Sequence, residues 1–377
     1  MVSSLMLLTN PYRPDPRVLR EARALKEAGH DITLVAWDRD NGPVRESMEE
    51  GVRVFRLGPV SPFRSPLRVF LGLLRFWMST LRASRRLEFD VIHSHDFDTL
   101  PLALLLSKLR RRPLLYDAHE VYSDMIRKDA PTAAKMLRPL ERQLVRCADE
   151  IITVNELLVD LLSEGRESPA RLVRNSPDMS AMTVERVREV REKHGLRGFI
   201  ISYLGSLEPG RSVEELASSF SPDQGIMVVI GGSGTLQKAV EGYAARNPCV
   251  RFLGRVSTDD ALAITSASDL VPAVHDPSNP NYRIGTPIKV LEAMACGRPV
   301  VTSKGIDISE IVESAGCGFV IDYNRRLLVE TVVRASKEPE RLAEMGLRGV
   351  QYYEKHLSWN QAKAALLEAY RALESPS

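Results

Sequence analysis

The chain has 377 residues, 44% of them hydrophobic, which is enough apolar material for two domains, each with its own core. A formal net charge of +2, with no basic tail or acidic tract, leaves no global field that would argue for nucleic acid. Cys147, Cys249, Cys296 and Cys317 lack the C-x-x-C spacing of zinc or redox sites and read as buried thiols of a reducing compartment. The opening MVSSLMLLTN has a short apolar run without a basic flank, so a first strand rather than a signal peptide is expected. No apolar run reaches membrane-spanning length, and the expected location is cytoplasmic.

In chain order, Leu5 to Thr9 is short and apolar, Asn10 to Pro16 is a proline-rich turn, and Val18 to Glu27 carries apolar residues at helical spacing before Gly29. Strand, loop and helix follow. Ile32 to Ala36, Val52 to Leu57, Phe89 to His93, Pro113 to Tyr116 and Glu150 to Val154 repeat the alternation. This predicts a mostly parallel sheet covered on both faces, with ligands beyond the carboxyl ends of the strands. Those ends are polar: Asn10 to Arg17, His93-Ser94-His95-Asp96, Asp117-Ala118-His119-Glu120 and Asn155-Glu156. A histidine beside a strand end reads equally as a hydrogen-bonded structural group. His93, His95, Asp96 and His119 are also of the types that hold divalent cations, but two histidines on one strand face lack a clear further ligand set, so no metal is expected.

Pro66 to Arg86 is rich in Leu, Phe and Trp, with Arg68, Arg75 and Arg82 every seven residues along one side. That is a basic amphipathic helix, open to two readings: a sheet-covering helix with arginines on its wet edge, or contact with an anionic membrane surface or lipid-linked acceptor. Arg110 to Arg112 adds local positive charge.

Residues 1–180 form the expected first domain and 181–198, charged and helical, the hinge region. Phe199 to Leu204 opens a second alternating domain, 199–356, and 357–377 is a final helix with an apolar face. Gly205-Ser206-Leu-Glu-Pro-Gly210-Arg211 leads from its first strand into a helix at Val213, offering backbone N–H groups beside a cation, a natural phosphate site; Arg211 as a surface residue is the plainer reading. Met227 to Gly234 is a strand entering a glycine-rich turn with Gly232 and Ser233, whose spacing is not that of a dinucleotide fingerprint and which suits close backbone approach to a nucleotide. Val250 to Arg255 and Ala267 to Pro272 continue the pattern, and His275 to Asn281 is a polar loop. Gly285-Thr286-Pro287 carries helix-start signals, with Thr286 as candidate cap and Pro287 at the first helical position. Ile288, Leu291, Ala295, Val290 and Met294 give the following helix an apolar stripe. Lys289 in its first turn is unfavourable against the helix dipole unless an anion shares the site, and Glu292 follows on the same side. An ordinary αβ unit with a snorkelling lysine is the alternative.

P-I-K-V-L-E-A-M-A-C-G-R-P-V-V, residues 287–301, resembles the donor-site motif of retaining glycosyltransferases of family 4, which have the GT-B fold. There two glutamates flank seven residues, the first on the donor sugar and the second on the nucleotide ribose; Glu292 takes the second place and Ile284 stands in the first, as in a P-x-K-x-x-E subgroup. D-P-R-V-L-R-E-A, H-S-H-D-F-D-T-L-P and Y-D-A-H-E resemble the family's N-terminal domain, and His95 takes the place of a histidine that approaches the donor sugar. Arg211 matches a basic residue on the donor pyrophosphate, while Ser206 replaces a second, usual arginine.

The resemblance implies two Rossmann-like α/β domains facing a cleft, with the last helix crossing back to the first. It implies a cofactor-free enzyme moving a sugar from a nucleotide diphosphate sugar to a glycan, lipid-linked or small acceptor with retention. His95, Arg211 and Lys289 are the expected catalytic residues. The donor would meet Gly205, Ser206, Arg211, Gly232, Ser233, Arg255, Thr286, Pro287, Ile288, Lys289 and Glu292. Asp15, Arg17, His95, Asp96, His119 and Glu120 would face the acceptor, with Glu120 taking a hydroxyl proton. Basic groups and helix N-termini would neutralise the leaving diphosphate in place of a metal. A GT-B epimerase that acts on a nucleotide sugar without an acceptor is the alternative enzyme, and a non-catalytic nucleotide-binding subunit of a partner transferase fits the substitutions at Ile284 and Ser206. Peripheral contact with the inner membrane face through residues 66–86 is the further expectation.

Overall fold

The computed structural model describes residues 1–12, 15–39, 45–61, 66–127, 130–179 and 182–374, with the side chains of Pro66, Leu67, Asn281 and Ile284 excluded. Arg13 and Pro14 of the proline-rich turn, Ser180 and Ala181 at the domain junction, and the Ile284 side chain therefore lie outside the described residues. Two compact units form, Met1–Asn175 with Asn360–Ser377, and Ser176–Trp359.

Unit 1 contains strands β1 (Ser3–Leu8), β2 (Asp31–Trp37), β3 (Arg45–Glu49), β4 (Val52–Leu57), β5 (Val91–His95), β6 (Leu114–Ala118), β7 (Glu150–Thr153) and β8 (Arg171–Leu172). Its helices are α1 (Pro16–Glu27), α2 (Pro66–Ser84), α3 (Leu100–Arg110), α4 (Tyr122–Met125), α5 (Pro131–Val145) and α6 (Glu156–Ser163). The strand order is β3-β4-β2-β1-β5-β6-β7-β8, with β3 antiparallel to β4. The parallel strands are buried, as apolar runs in a sheet covered by helices require. Edge strand β3 escapes the sequence reading because Arg-Glu-Ser-Met-Glu has no apolar run. Arg56, buried on β4, ties it down: its guanidinium donates to both Glu49 carboxylate oxygens at 2.6 and 2.8 Å and to Ser47 Oγ at 2.9 Å.

Trp37 at the end of β2 stacks on Phe76 of α2 at 5.7 Å, joining Leu5, Leu7, Val35 and Leu100 in one core. Full burial of each large apolar side chain stabilises by about 1.5–3 kcal/mol, so this packing fixes where α2 lies. Gly72 is the point of contact, since a Cβ there would come within 2.7 Å of the Trp37 ring. The outward face of α2 carries Arg68, Arg75 and Arg82 with exposed Phe70, Leu71 and Met78.

Unit 2 begins with α7 (Val184–His194), read from sequence as part of the hinge, whose Val190 packs with Ile264 and Ala267. Then come β9 (Phe199–Leu204), α8 (Val213–Ser218), β10 (Ile226–Gly231), α9 (Gln237–Arg246), β11 (Val250–Phe252), α10 (Thr258–Ala267) and β12 (Val271–Ala273). The unit continues with α11 (Pro280–Ile284), α12 (Ile288–Ala295), β13 (Val300–Ser303), α13 (Ile308–Ala315), β14 (Gly318–Ile321), α14 (Arg325–Ala335) and α15 (Pro339–His356). Two three-stranded parallel sheets, β11-β10-β9 and β12-β13-β14, are joined by an Ile201–Leu270 bridge. The last helix, α16 (Trp359–Glu374), belongs to unit 1, where the Tyr370 hydroxyl bonds Ser4 Oγ at 2.8 Å and His93 Nδ1 at 3.1 Å. The expected α/β class, with a mostly parallel sheet in each half, is what the chain adopts.

Candidate functional site

In unit 1 the polar strand ends converge on Asp117, buried at the end of β6. Arg17, placed in the first turn of α1, donates from Nε to Asp117 Oδ2 at 2.9 Å and from Nη2 to Oδ1 at 2.6 Å. His95 Nδ1 at 3.1 Å and His119 Nε2 at 2.9 Å donate to the same Oδ2. Burial alone would raise the Asp117 carboxyl, but Arg17 and then His119 outweigh it and hold it well below the usual range. Burial works against Arg17 as well, and Asp117 and Glu21 keep it fully protonated.

Because a carboxylate only accepts, His95 carries its proton on Nδ1, and in the neutral ring Nε2 is an acceptor. That Nε2 is buried and has no partner. Alternation along β5 puts His93 on the same face, stacked on His95 at 4.2 Å. Asp96 follows in the left-handed region at φ 62°, a conformation an aspartate tolerates and functional sites favour.

Three of the expected acceptor-side residues do other work. Asp15 caps α1, accepting from the Val18 N–H at 3.1 Å and from Asn10 Nδ2 at 2.7 Å. Arg17 is buried as the counter-ion of Asp117 and also donates to the Val173 carbonyl at 2.8 Å. His119 lies between two carboxylates, with Nδ1 3.3 Å from Asp96 Oδ1. Burial opposes its charge, yet Asp117 and then Asp96 raise its pKa to about 10, making it a cation rather than a base. Glu120 is exposed beside it.

Glu21, His93, His95 and Asp117 place one donor atom each within 4.8 Å of one another, a set different from the His93, His95, Asp96 and His119 weighed from sequence. The guanidinium of Arg17 stands within 3.0 Å of Glu21 Oε1 and bonds Asp117, so a protein cation already supplies positive charge to both carboxylates.

In unit 2 the turns after β9 and β10 touch. A Cβ on Gly232 would fall 1.7 Å from the Gly205 carbonyl oxygen, so Gly232 is dictated by backbone meeting backbone. Ser206 is exposed and its carbonyl accepts from the Tyr203 hydroxyl at 2.8 Å; Arg255 Nε donates to Ser233 Oγ at 3.1 Å. Lys289 is buried rather than snorkelling, with Nζ 3.8 Å from the centroid of the Tyr203 ring. Burial, then Arg211, lower its pKa to about 7 against the opposing pull of Glu292. Arg211 packs over Tyr282 at 5.0 Å and donates to its hydroxyl at 3.3 Å.

Helix α12 starts at Ile288, later than the sequence signals suggest: Pro287, with ψ 115°, is the capping residue, and Thr286 Oγ1 is buried without a partner. Ile288 is consequently exposed while Lys289, Val290, Leu291, Ala293 and Met294 are buried. The sequence reading took His275 only as part of a polar loop and gave Tyr282 no role, yet their rings lie 5.2 Å apart. Burial, then Lys289 and Arg211, push His275 down to about 2, and its Nε2 is buried without a partner. Their only signal is position, His275 in the polar loop after β12 and Tyr282 in the short helix α11 that follows it.

A buried lysine, an arginine and an exposed glycine turn stand together in an α/β unit at the carboxyl edge of a parallel sheet, the edge where such folds offer backbone N–H groups to anions. Residues 14–177 match the model of the glycosyl transferase 4-like domain, and residues 198–338 that of glycosyl transferases group 1. The D-inositol 3-phosphate glycosyltransferase of Corynebacterium efficiens is 26% identical over 79% of this chain and 75% of its own. The phosphatidyl-myo-inositol mannosyltransferase of Propionibacterium freudenreichii is 27% identical over 74% and 70%. The sucrose-phosphate synthase of Thermosynechococcus elongatus superposes over 100% of both chains with a TM-score of 0.79 at 18% identity. Anabaena HepE in complex with UDP-glucose gives 0.71 at 16% identity, over 99% of this chain and 100% of its own. The chain belongs to the GT-B glycosyltransferases of the family 4 type.

Proposed function

We propose that the chain transfers a sugar from a nucleoside diphosphate sugar to an acceptor, with retention and without a metal. The observation that carries this reading is the buried Lys289 beside Arg211 and Gly205, two cations in a low-dielectric place where a diphosphate would neutralise them. The leaving diphosphate gains negative charge as the glycosidic bond breaks, and these groups stabilise it as it forms. His95 Nε2, held as an acceptor by Asp117, suits a sugar hydroxyl, and Glu292 the ribose. Purified chain, a panel of nucleotide sugars and candidate acceptors test the reading: nucleoside diphosphate should be released only with acceptor, and the product should keep the donor's anomeric configuration by NMR. Excess EDTA should leave the rate unchanged; loss restored by magnesium or manganese would overturn metal independence. Turnover without acceptor would indicate epimerisation, and no turnover by the single chain would indicate a partner subunit.

We further propose that α2 rests on an anionic membrane surface. Among the described residues no helix is long and apolar enough to cross a membrane. The exposed arginines alternate with exposed Phe70, Leu71 and Met78, while Gly72, Phe76 and Thr80 face the core. Each arginine adds on the order of 1 kcal/mol, so Arg68→Glu, Arg75→Glu and Arg82→Glu together should weaken sedimentation with anionic vesicles by about two orders of magnitude. Melting temperature should barely move, and salt should imitate the mutations. Wild-type protein that stays in the supernatant at low salt would remove the membrane from the account.

A further inference from the structure

The α4–α5 face of unit 1 carries a groove of about 800 Å³ whose lining includes Arg127, Lys135, Arg138, Arg142 and Arg146. Lys135, Arg138, Arg142 and Arg146 recur at three- and four-residue intervals, so α5 and its C-cap present one basic stripe. The carboxylates among them are few. Asp124 pairs with Arg127 at 2.6 Å and Arg138 at 3.5 Å, and Glu164 pairs with Arg142. Glu141 is occupied in accepting the N–H groups of Tyr122 and Ser123 at 2.7 and 2.9 Å. Among the described residues, five cations against three carboxylates leave a net positive surface, and the buried Ser123 hydroxyl that lines it has no partner. Planar guanidinium forks at this density match phosphate oxygens, and the groove exceeds the size of one phosphate. Among the described residues its lining contains no aromatic ring on which a nucleic acid base could stack.

Two observations give the ligand an apolar part. Beside the basic stripe, Met136 and Leu140, one turn apart on α5, are 75% and 50% exposed, and Leu157 and Leu161 of α6 are exposed as well. A second cavity of about 70 Å³ shares Arg138, Arg142 and Arg146 with the groove and is lined by Tyr116, Val121, Val145, Leu161 and Leu162. Glu120, Glu141 and Glu164 are its acidic members, and Glu120 connects it to the carboxyl end of β6, where the acceptor side was read from sequence. We infer that the α4–α5 groove binds the phosphate or pyrophosphate of a lipid-linked acceptor, with the lipid following the Met136–Leu140 side of α5. The inference rests on the transferase reading, because it names that reaction's acceptor.

The test is a calorimetric titration of the full chain with farnesyl diphosphate below its micellar concentration, beside inorganic pyrophosphate and farnesol. Farnesyl diphosphate should bind at least tenfold more tightly than pyrophosphate, and farnesol should not bind. Arg138→Gln with Arg142→Gln should weaken farnesyl diphosphate at least tenfold while nucleoside diphosphate affinity and melting temperature stay unchanged. Lys289→Ala should do the reverse, which separates this site from the donor site. Equal affinity for pyrophosphate and farnesyl diphosphate would overturn the lipid assignment, and indifference to the arginine pair would overturn the groove itself. These are binding readouts, so a chain that turns over no nucleotide sugar would defeat the transferase reading without deciding this one.

Discussion

Lys289→Met is expected to raise the melting temperature of the chain and weaken its binding of nucleoside diphosphates by about one to two orders of magnitude. The lysine is buried, and its pKa falls to about 7 because water is excluded and Arg211 is near. Replacing a buried charge by an apolar side chain of similar length removes that desolvation and should stabilise by about 1–4 kcal/mol, or about 2–4 °C for each kcal/mol in a unit of this size. The same change deletes a charge-assisted contact to phosphate worth about 1.5–3 kcal/mol and puts methyl in its place, so affinity should fall by about one to two orders of magnitude. The pH dependence has a definite sign. Between about 7 and 10.5 the unfolded chain holds the Lys289 proton and the native chain does not, so this group makes stability rise with pH across that window. The methionine variant should lack that rise. In wild type, a diphosphate bound at pH 8 should draw a proton onto Lys289, read as heat that scales with the ionisation enthalpy of the buffer. Scanning calorimetry with and without nucleoside diphosphate checks all of this; a raised melting temperature with affinity intact would remove Lys289 from the phosphate site, and a lowered one would show that its stacking on Tyr203 holds the fold.

Much of this was legible in the chain itself because buried parallel strands are continuous apolar runs and their polar ends stand out by contrast. Lys289 stands out in the sequence because a cation in the first turn of a helix conflicts with the dipole unless an anion compensates it, and Arg211 because it follows a glycine turn that offers backbone N–H groups. What could not be read was pairing. His119 reads as half of a polar pair with Glu120 in Asp-Ala-His-Glu; only the fold brings Asp96 to its other nitrogen and makes it a cation. Arg17 looks like an exposed loop residue, yet Asp117, one hundred positions away, buries it. Thr286-Pro287 imitates a cap followed by a first helical residue, and the extended Pro287 backbone displaces the start to Ile288. Tyr282 and His275 carry no pattern of their own, since a tilted ring contact seven positions apart has no set spacing and the arginine contact spans more than seventy positions.

The pairing of Arg17 has the second large consequence. Arg17→Met should destabilise the chain by about 3–5 kcal/mol, because it strands buried Asp117 and Glu21 without their shared cation. Glu21 already has its pKa raised to about 7 by burial, which Arg17 only partly offsets, so it can escape by taking a proton. Asp117 cannot do so at neutral pH without losing the His95 and His119 bonds that need a carboxylate. In the wild type its native pKa is depressed, so its contribution is present above the unfolded value near 4 and is lost only as pH falls through the native one. Without Arg17 the native pKa climbs, the native state binds the extra proton, and stability falls as pH rises. The deficit of the variant should therefore be larger at pH 8 than at pH 5 when urea midpoints are compared. Asp117→Asn added to Arg17→Met should recover part of the loss, since a neutral amide needs no counter-ion; the coupling isolates the charge from the packing. A single variant within 1 kcal/mol of wild type, or a deficit independent of pH, would mean that the arginine stem and not its charge holds the strand ends together.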